Sequence, residues 1–567
     1  MAQTETTNEA ANGVAGVRRH RTRNRWLIAT GAVLGAALVA LGITAEYVAR
    51  HAGPLLRSSV VATLSSRFHS PVELDSLDIS VAKGLQVHGR GLRILYLAGP
   101  TMPDIAQREG LPAPPMLSVN DFTFRTTLND LMHLRANIAR VDVDGMELRI
   151  PPHDGKHVPR TEAAARIKLT VAKIYCRNVK LVIETSAVGK EPLRFDIRNL
   201  ELTEEGPDQP LRYVADVVNP KPVGEVHAEG HFGPWQGDDP RATALDGRYR
   251  YEHVDLDSIK GLGGTLSSAG EFEGKLGHLT VDGTTSTPDF SLDVSDHPMP
   301  LETKFEAFVD GTTGDTTLNS VEAQLGQSRF SCAGTIQRVA GKGHDIALTM
   351  AMPQGRIEDI LRLVMKTSPA VMRGGVALQA KLHIPPGETR VSEKMELAGT
   401  MRMQRVEFTS SKLQGQVDSL SKRAQGKPGE AKAAAAGDAG VASEMAVTFT
   451  MAHAMLMVQG LEYKIPGATV NLVGVYPLDG YAFDFRGHVA TEATASQMLT
   501  GWKSMLMKPF DGVLQKDGKG ADIPIEISGS HGNFDVGFAM HGKDETPQQM
   551  LADMKAQSLL RRQNQYR

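Results

Sequence analysis

The chain has 567 residues, enough for several ordinary domains. Its 62 Lys and Arg against 65 Asp and Glu give a formal net charge of -3, so no global field favours nucleic acid or any strongly charged partner. The two cysteines, Cys176 and Cys332, fit no close-spaced metal motif and lie too far apart for a disulfide to be inferred, so both read as buried small apolar residues.

From Trp26 to Ala45 (WLIATGAVLGAALVALGITA) no residue is charged, and roughly 20 such residues span the hydrocarbon core of a bilayer. Arg18, Arg19, Arg21, Arg23 and Arg25 precede this segment, so the positive-inside rule predicts a cytoplasmic basic tail over 1–25 and an uncleaved signal anchor over 26–45. Leu56, Val60, Leu64 and Phe68 then recur at i, i+4 spacing, which predicts an amphipathic helix within 54–70.

Strands begin at PVELDSLDISVAKGLQVHGRGLRI and continue, past a Pro-rich loop at Pro100–Pro115, as alternating apolar and polar runs closed by Gly, Pro or acidic turns. The pattern is plainest from Thr280 to Ile336. There Phe290, Leu292 and Val294 share one face, as do Phe305, Ala307 and Val309, then Val321, Ala323 and Leu325, then Phe330, Cys332 and Ile336. One face is apolar and the other wet, as in a half-buried antiparallel sheet. Glycines recur inside strands as x-G-x-apolar, at Gly230, Gly247, Gly270, Gly334 and Gly399. They read either as bend points of a sheet folded along its length or as hairpin turns.

Ile357, Ile360, Leu361 and Val364 repeat at helical spacing, as do the Met, Leu and Trp residues of Ala495–Leu514. Residues 416–444 contain KRAQGKPGEAKAAAAGDAGVAS, with almost no large apolar side chain, which predicts a mobile loop between a trough over 71–415 and further strands over 445–543. A polar tail occupies 544–567.

No nucleophile elbow, Walker loop, zincin helix or C-x-x-C is present. KGLGGTL at Lys260–Leu266 lies among strands with no following helix, which argues against a nucleotide loop, and the histidines pair only with chain neighbours. The acid pairs Glu204/Glu205 and Asp238/Asp239 lie in turn-rich stretches. No general acid or base is nominated, and no enzymatic role, cofactor or metal is expected.

The anchor followed by PVELDSLDISVAKGLQVHGRGLRI resembles the opening of AsmA-like proteins. Similar in kind are VDGTTSTPDFSLDVSDHPMPLETKFEAFVDGTTGDTTL, GGVALQAKLHIPPG, MELAGTMRMQRVEFTSSKLQGQVDSLSKRAQG and GADIPIEISGSHGNFDVGF. The resemblance spans most of residues 26–540, and that family is similar to the bridge-like lipid-transfer proteins. It implies a mainly β fold: a transmembrane helix, then an elongated, curved antiparallel β-trough with a few short amphipathic helices. It further implies a single-pass inner-membrane protein whose large C-terminal part lies in the periplasm and whose groove holds phospholipid acyl chains. Candidates for the groove wall are Phe290, Leu292, Val294, Phe305, Val309, Val321, Leu325, Phe330 and Ile336, together with Leu348, Leu378, Leu382, Met401 and Phe449. A single-sheet trough of this length would reach on the order of 100–150 Å, which leaves room for an outer-membrane or periplasmic protein partner at its far end. The alternative expectation is an envelope scaffold that closes its sheet into a sandwich and assists outer-membrane assembly through protein contacts.

Overall fold

The computed structural model describes residues 57–58, 60–62, 64–65, 70–80, 85–95, 115–126, 137–150, 170–185, 187–204, 209–220, 222–234, 236, 239–295, 297–435, 440–478, 483–500, 520–530, 533–538 and 549–550. The anchor expected over 26–45 lies outside them. Among the described residues no helix is long and apolar enough to cross a membrane. The described part of the expected 54–70 helix, within residues 57–65, is helical.

Contacts divide the chain into two units. In the first, β1 (Val72–Glu73) and β2 (Ser76–Ser80) both pair antiparallel with β3 (Leu85–Ile94). It also holds most of β4 (Leu117–Thr126), and β5 (Asn137–Ile138) pairs parallel with β7 (Thr170–Val171). Val87 and Ile94 are fully buried there, and the ring of Phe122 lies over Gly89, where a Cβ would come within 2.1 Å of it. The strand β6 (Val141–Ile150) is assigned in part to each unit.

The second unit is a large, curled, open antiparallel sheet. Its strands are β8 (Lys173–Ile183), β9 (Leu193–Glu204), β10 (Leu211–Pro220), β11 (Val223–Phe232), β12 (Ala244–Asp255), β13 (Leu262–Gly263), β14 (Thr265–Lys275) and β15 (His278–Leu292). They continue as β16 (Met299–Val309), β17 (Thr316–Leu325), β18 (Ser328–Val339), β19 (Gly343–Arg356), β20 (Met372–Ile384) and β21 (Glu396–Phe408). The last are β22 (Glu444–Ala452), β23 (Met455–Ile465), β24 (Ala468–Pro477), β25 (Phe483–Thr491), β26 (Ala521–Ser530) and β27 (Asn533–Phe538). Apart from the short β13, which pairs with β15, each strand pairs with the next in sequence. The same order continues to β27, whose one described partner is β26, so this edge is not turned back into a closed barrel.

The curl has two physical sources. Register shifts interrupt many of the ladders, as between Asp216 and Val217, Thr287 and Phe290, and Arg329 and Ser331, and each such bulge bends its strand and increases the local twist. The glycines act within strands rather than at hairpin turns: Gly230 faces Gly247 and Gly270 faces Gly283 in mid-ladder.

Helices are few. The expected helix at Ile357 is α1 (Ile357–Val364), and α2 (Val391–Lys394) is a single turn between β20 and β21. The expected loop over 416–444 is corrected by the structure. It contains most of α3 (Ser411–Ala424) and all of α4 (Ala431–Ala434). The order comes from polar bonds that side-chain size does not reveal. Ser410 caps α3, Gln414 accepts from Phe408 N–H at 2.8 Å, and Asp418 accepts from Gln414 at 2.8 Å and from Val441 N–H at 3.2 Å. Ala424 and Ala431 are fully buried, so small side chains serve close packing here. Residues 495–500 of the second expected helix form turns, and its remainder lies outside the described residues.

Candidate functional site: the apolar face of the sheet

Residues directly opposite in an antiparallel ladder point to the same face. Following opposed partners from β8 gives Cys176, Leu200, Ala215, Ala228, Tyr249, Gly270, Gly283 and Phe305. The row continues through Val321, Cys332, Met350, Ala380, Gly399 and Phe449 to Val458, Gly474, Phe485 and Ile527. It takes one residue from every strand from β8 to β26 except β13, and none is charged.

Neighbouring rows keep this character. Val281, Ala307, Leu318, Gly334, Leu348, Leu382, Leu397 and Met451 form one. Met352, Leu378, Met401, Val447, Leu461 and Leu472 form another. The sequence candidates Phe305, Val321, Leu348, Leu378, Leu382, Met401 and Phe449 thus lie in these rows. Phe330 opposes Ala323, Val309 opposes Leu279, Ile336 opposes Ile346 and Leu325 opposes Leu301, all on the same face. The bulge before Phe290 keeps it inward opposite Met299. Leu292 ends β15 opposite Leu262, whereas Val294 lies beyond the strand in a turn where Ser295 N–H donates to Leu292 O at 3.1 Å. All of these side chains are buried or half-buried.

The other face carries the charge as cross-strand pairs: Arg248 with Glu271 at 2.9 Å, His227 with Asp216 at 2.8 Å, and His231 with Asp246 at 3.0 Å. His383 lies 3.0 Å from Glu396 and 2.9 Å from Asp345, and these two carboxylates, Glu396 foremost, raise its pKa above the ordinary value. On the apolar face burial acts alone on the thiols, pushing Cys176 up to about 12 and Cys332 upward as well. Both are therefore protonated, unreactive sulfhydryls at neutral pH.

Cover on the apolar face is uneven. Between β18 and β26, Ile357, Ile360 and Leu361 of α1 and Val417, Leu420 and Ala424 of α3 pack with Phe330, Met401, Phe449 and Val470 in one cluster. Between β8 and β16 the described connections contain turns and the 3-10 turns Pro240–Ala242 and Leu256–Ser258, without an α-helix.

Two contacts, missed by sequence reasoning, bridge distant parts of the sheet. The turn after β8 meets the turns that flank β17 and β18. Ala340 N–H donates to Gly189 O at 2.9 Å, and Lys190 Nζ lies 2.6 Å from both Asp315 Oδ1 and Arg338 O. Seven ladders separate β9 from β17, so a flat sheet would hold them roughly 34 Å apart. The connection from β20 to β21 likewise reaches the turn before β13, with Val391 N–H donating to Lys260 O at 2.9 Å and Arg390 3.3 Å from Asp293. No period or motif in the chain announces either contact.

Among the described residues, the middle rows of this face are curved and uncharged and carry no reactive constellation. Among the described residues no group of three or more His, Cys, Asp and Glu could hold a metal. No protein-family model, curated protein or solved structure matches the chain.

Proposed function

We propose that this is an inner-membrane-anchored periplasmic protein of AsmA-like kind that binds acyl chains along its apolar groove and assists phospholipid transport to, or homeostasis of, the outer membrane. The observation that carries the reading is the uncharged row running from Cys176 to Ile527 across the long strands from β8 to β26. Soluble proteins seldom leave more than a few hundred Å² of contiguous apolar surface uncovered, so a face of this length calls for an apolar occupant where helices do not cover it. Methylenes supply that occupant at about 0.8 kcal/mol each, with little dependence on the headgroup. The long uncharged segment Trp26–Ala45 and its arginine-rich flank support the membrane anchor.

The test places a photo-crosslinking amino acid in the full chain in cells, at Phe305 on the apolar face and at Lys304 on the charged face. Lipid adducts at Phe305 and none at Lys304, read by mass spectrometry, are the expected outcome. Adducts at neither position sink the reading. A protein adduct at Phe305 favours the envelope scaffold, to which the cover of β18–β26 by α1 and α3 lends support.

A further inference from the structure

A run of hydroxyls interrupts the middle of the apolar face. Ser268, Thr285 and Thr303 oppose one another across β14, β15 and β16, in the row beside Gly270, Gly283 and Phe305. Thr285 Oγ1 is 2.7 Å from Thr303 Oγ1, and the Tyr249 hydroxyl is 3.2 Å from Ser268 Oγ. The second pair is seated by missing side chains. A Cβ on Gly270 would come within 2.9 Å of the Tyr249 ring, and one on Gly283 within 2.6 Å of its hydroxyl. The phenol therefore lies along the wall over two glycines, in space that any other residue would fill. Burial raises its pKa, which keeps it a donor at any physiological pH.

Each hydroxyl has one proton to donate and two acceptor positions, so a pair joined by one hydrogen bond uses one of its two protons. One O–H per pair is left over, and the row ends in Ala323 beyond Thr303 and in Tyr251 beyond Ser268, whose own hydroxyl donates to Pro222 O at 2.6 Å and accepts from Asn219 at 2.8 Å. An O–H without an acceptor in a dry groove is unfavourable, and valine would suit the two threonine positions in a wall that had only to be apolar. The charged residues nearest in sequence, Glu302 and Lys304, alternate onto the opposite face, so an ionic headgroup finds no counter-charge in this row.

We propose that the Tyr249–Ser268 and Thr285–Thr303 pairs form a subsite for the carbonyl oxygens of an ester-linked lipid, holding its uncharged linkage inside the groove while its chains follow the apolar rows. The subsite rests on the acyl-chain reading and adds to it a preference for the linkage. An ether-linked lipid of the same chains and headgroup lacks the carbonyl and gains nothing from the two donors.

The full chain, held in amphipol, is incubated with an equimolar mixture of dioleoylphosphatidylcholine and its di-ether analogue, and bound lipid is counted by native mass spectrometry. The wild type retains the ester about fivefold over the ether, in line with a net gain of one or two hydrogen bonds. Thr285→Val with Thr303→Val, and separately Tyr249→Phe with Ser268→Ala, each move the ratio towards one, and unchanged circular dichroism shows that the variants fold. A ratio of one in the wild type, or a ratio that neither variant moves, overturns the subsite while leaving the acyl-chain reading intact. Retention of neither lipid overturns both.

Discussion

Glycine inside a strand usually weakens it, yet in this sheet the glycines at 270 and 283 are the floor on which aromatic rings rest. A Cβ at Gly283 would meet Tyr249 at 2.6 Å and the Phe305 ring at 2.7 Å. Gly283→Leu is accordingly expected to cost about 1–3 kcal/mol, seen as a lower urea midpoint. His383 is a second residue with a defined signature. Its pKa is raised in the folded state by Glu396 and Asp345, so its contribution to stability is full below its unfolded pKa, about 6.5, and is lost as pH rises through the elevated folded value. The stability gap between wild type and His383→Asn should therefore be widest in mild acid and shrink at alkaline pH, in urea titrations run across that range. A gap that grows with pH refutes the assignment. Cys176 should resist iodoacetamide at neutral pH until the chain is unfolded, because burial pushes its thiol up to about 12.

At the scale of elements, alternation was enough to read strands and faces, because period 2 is imposed by the pleat itself. Phe305, Val321 and Phe449 come to lie on one row although more than a hundred residues separate the first from the last. What alternation cannot carry is an irregularity of one residue. The bulge that turns Phe290 inward and the turn that takes Val294 off the strand depend on local backbone hydrogen bonds. Helix α3 escaped for a different reason: its ordering rests on Gln414, Asp418 and buried alanines, whereas sequence reading weighs large apolar side chains. Asp418 is only 1 % exposed and accepts from Gln414 and from Val441 N–H. Asp418→Ala strands both donors, and a loss of about 1–3 kcal/mol with faster hydrogen exchange across Ser411–Ala424 is the expected result.

Across the second unit, the two long-range contacts show how a sheet whose pairing is sequential, β13 apart, comes back on itself. Lys190 is the best placed to test this, since its ammonium joins Asp315 Oδ1 and Arg338 O at 2.6 Å while only 15 % of its side chain is exposed. Lys190→Met should speed exchange at the Ala340 amide, which donates to Gly189 O, and leave amides in the middle of β14 unchanged. Equal rates in mutant and wild type would mean that the turn is held by its backbone bond alone. The sequential pairing also bears on how such a chain forms. When neighbours in space are neighbours along the chain, loop-closure entropy stays small at each step, and strands can zip on one after another instead of waiting for a distant partner. Length then changes in whole hairpins of roughly 10 Å, because removing two strands preserves both the antiparallel order and the face each residue presents. A sheet of this kind is a ruler that evolution can lengthen or shorten by duplication or loss of a hairpin.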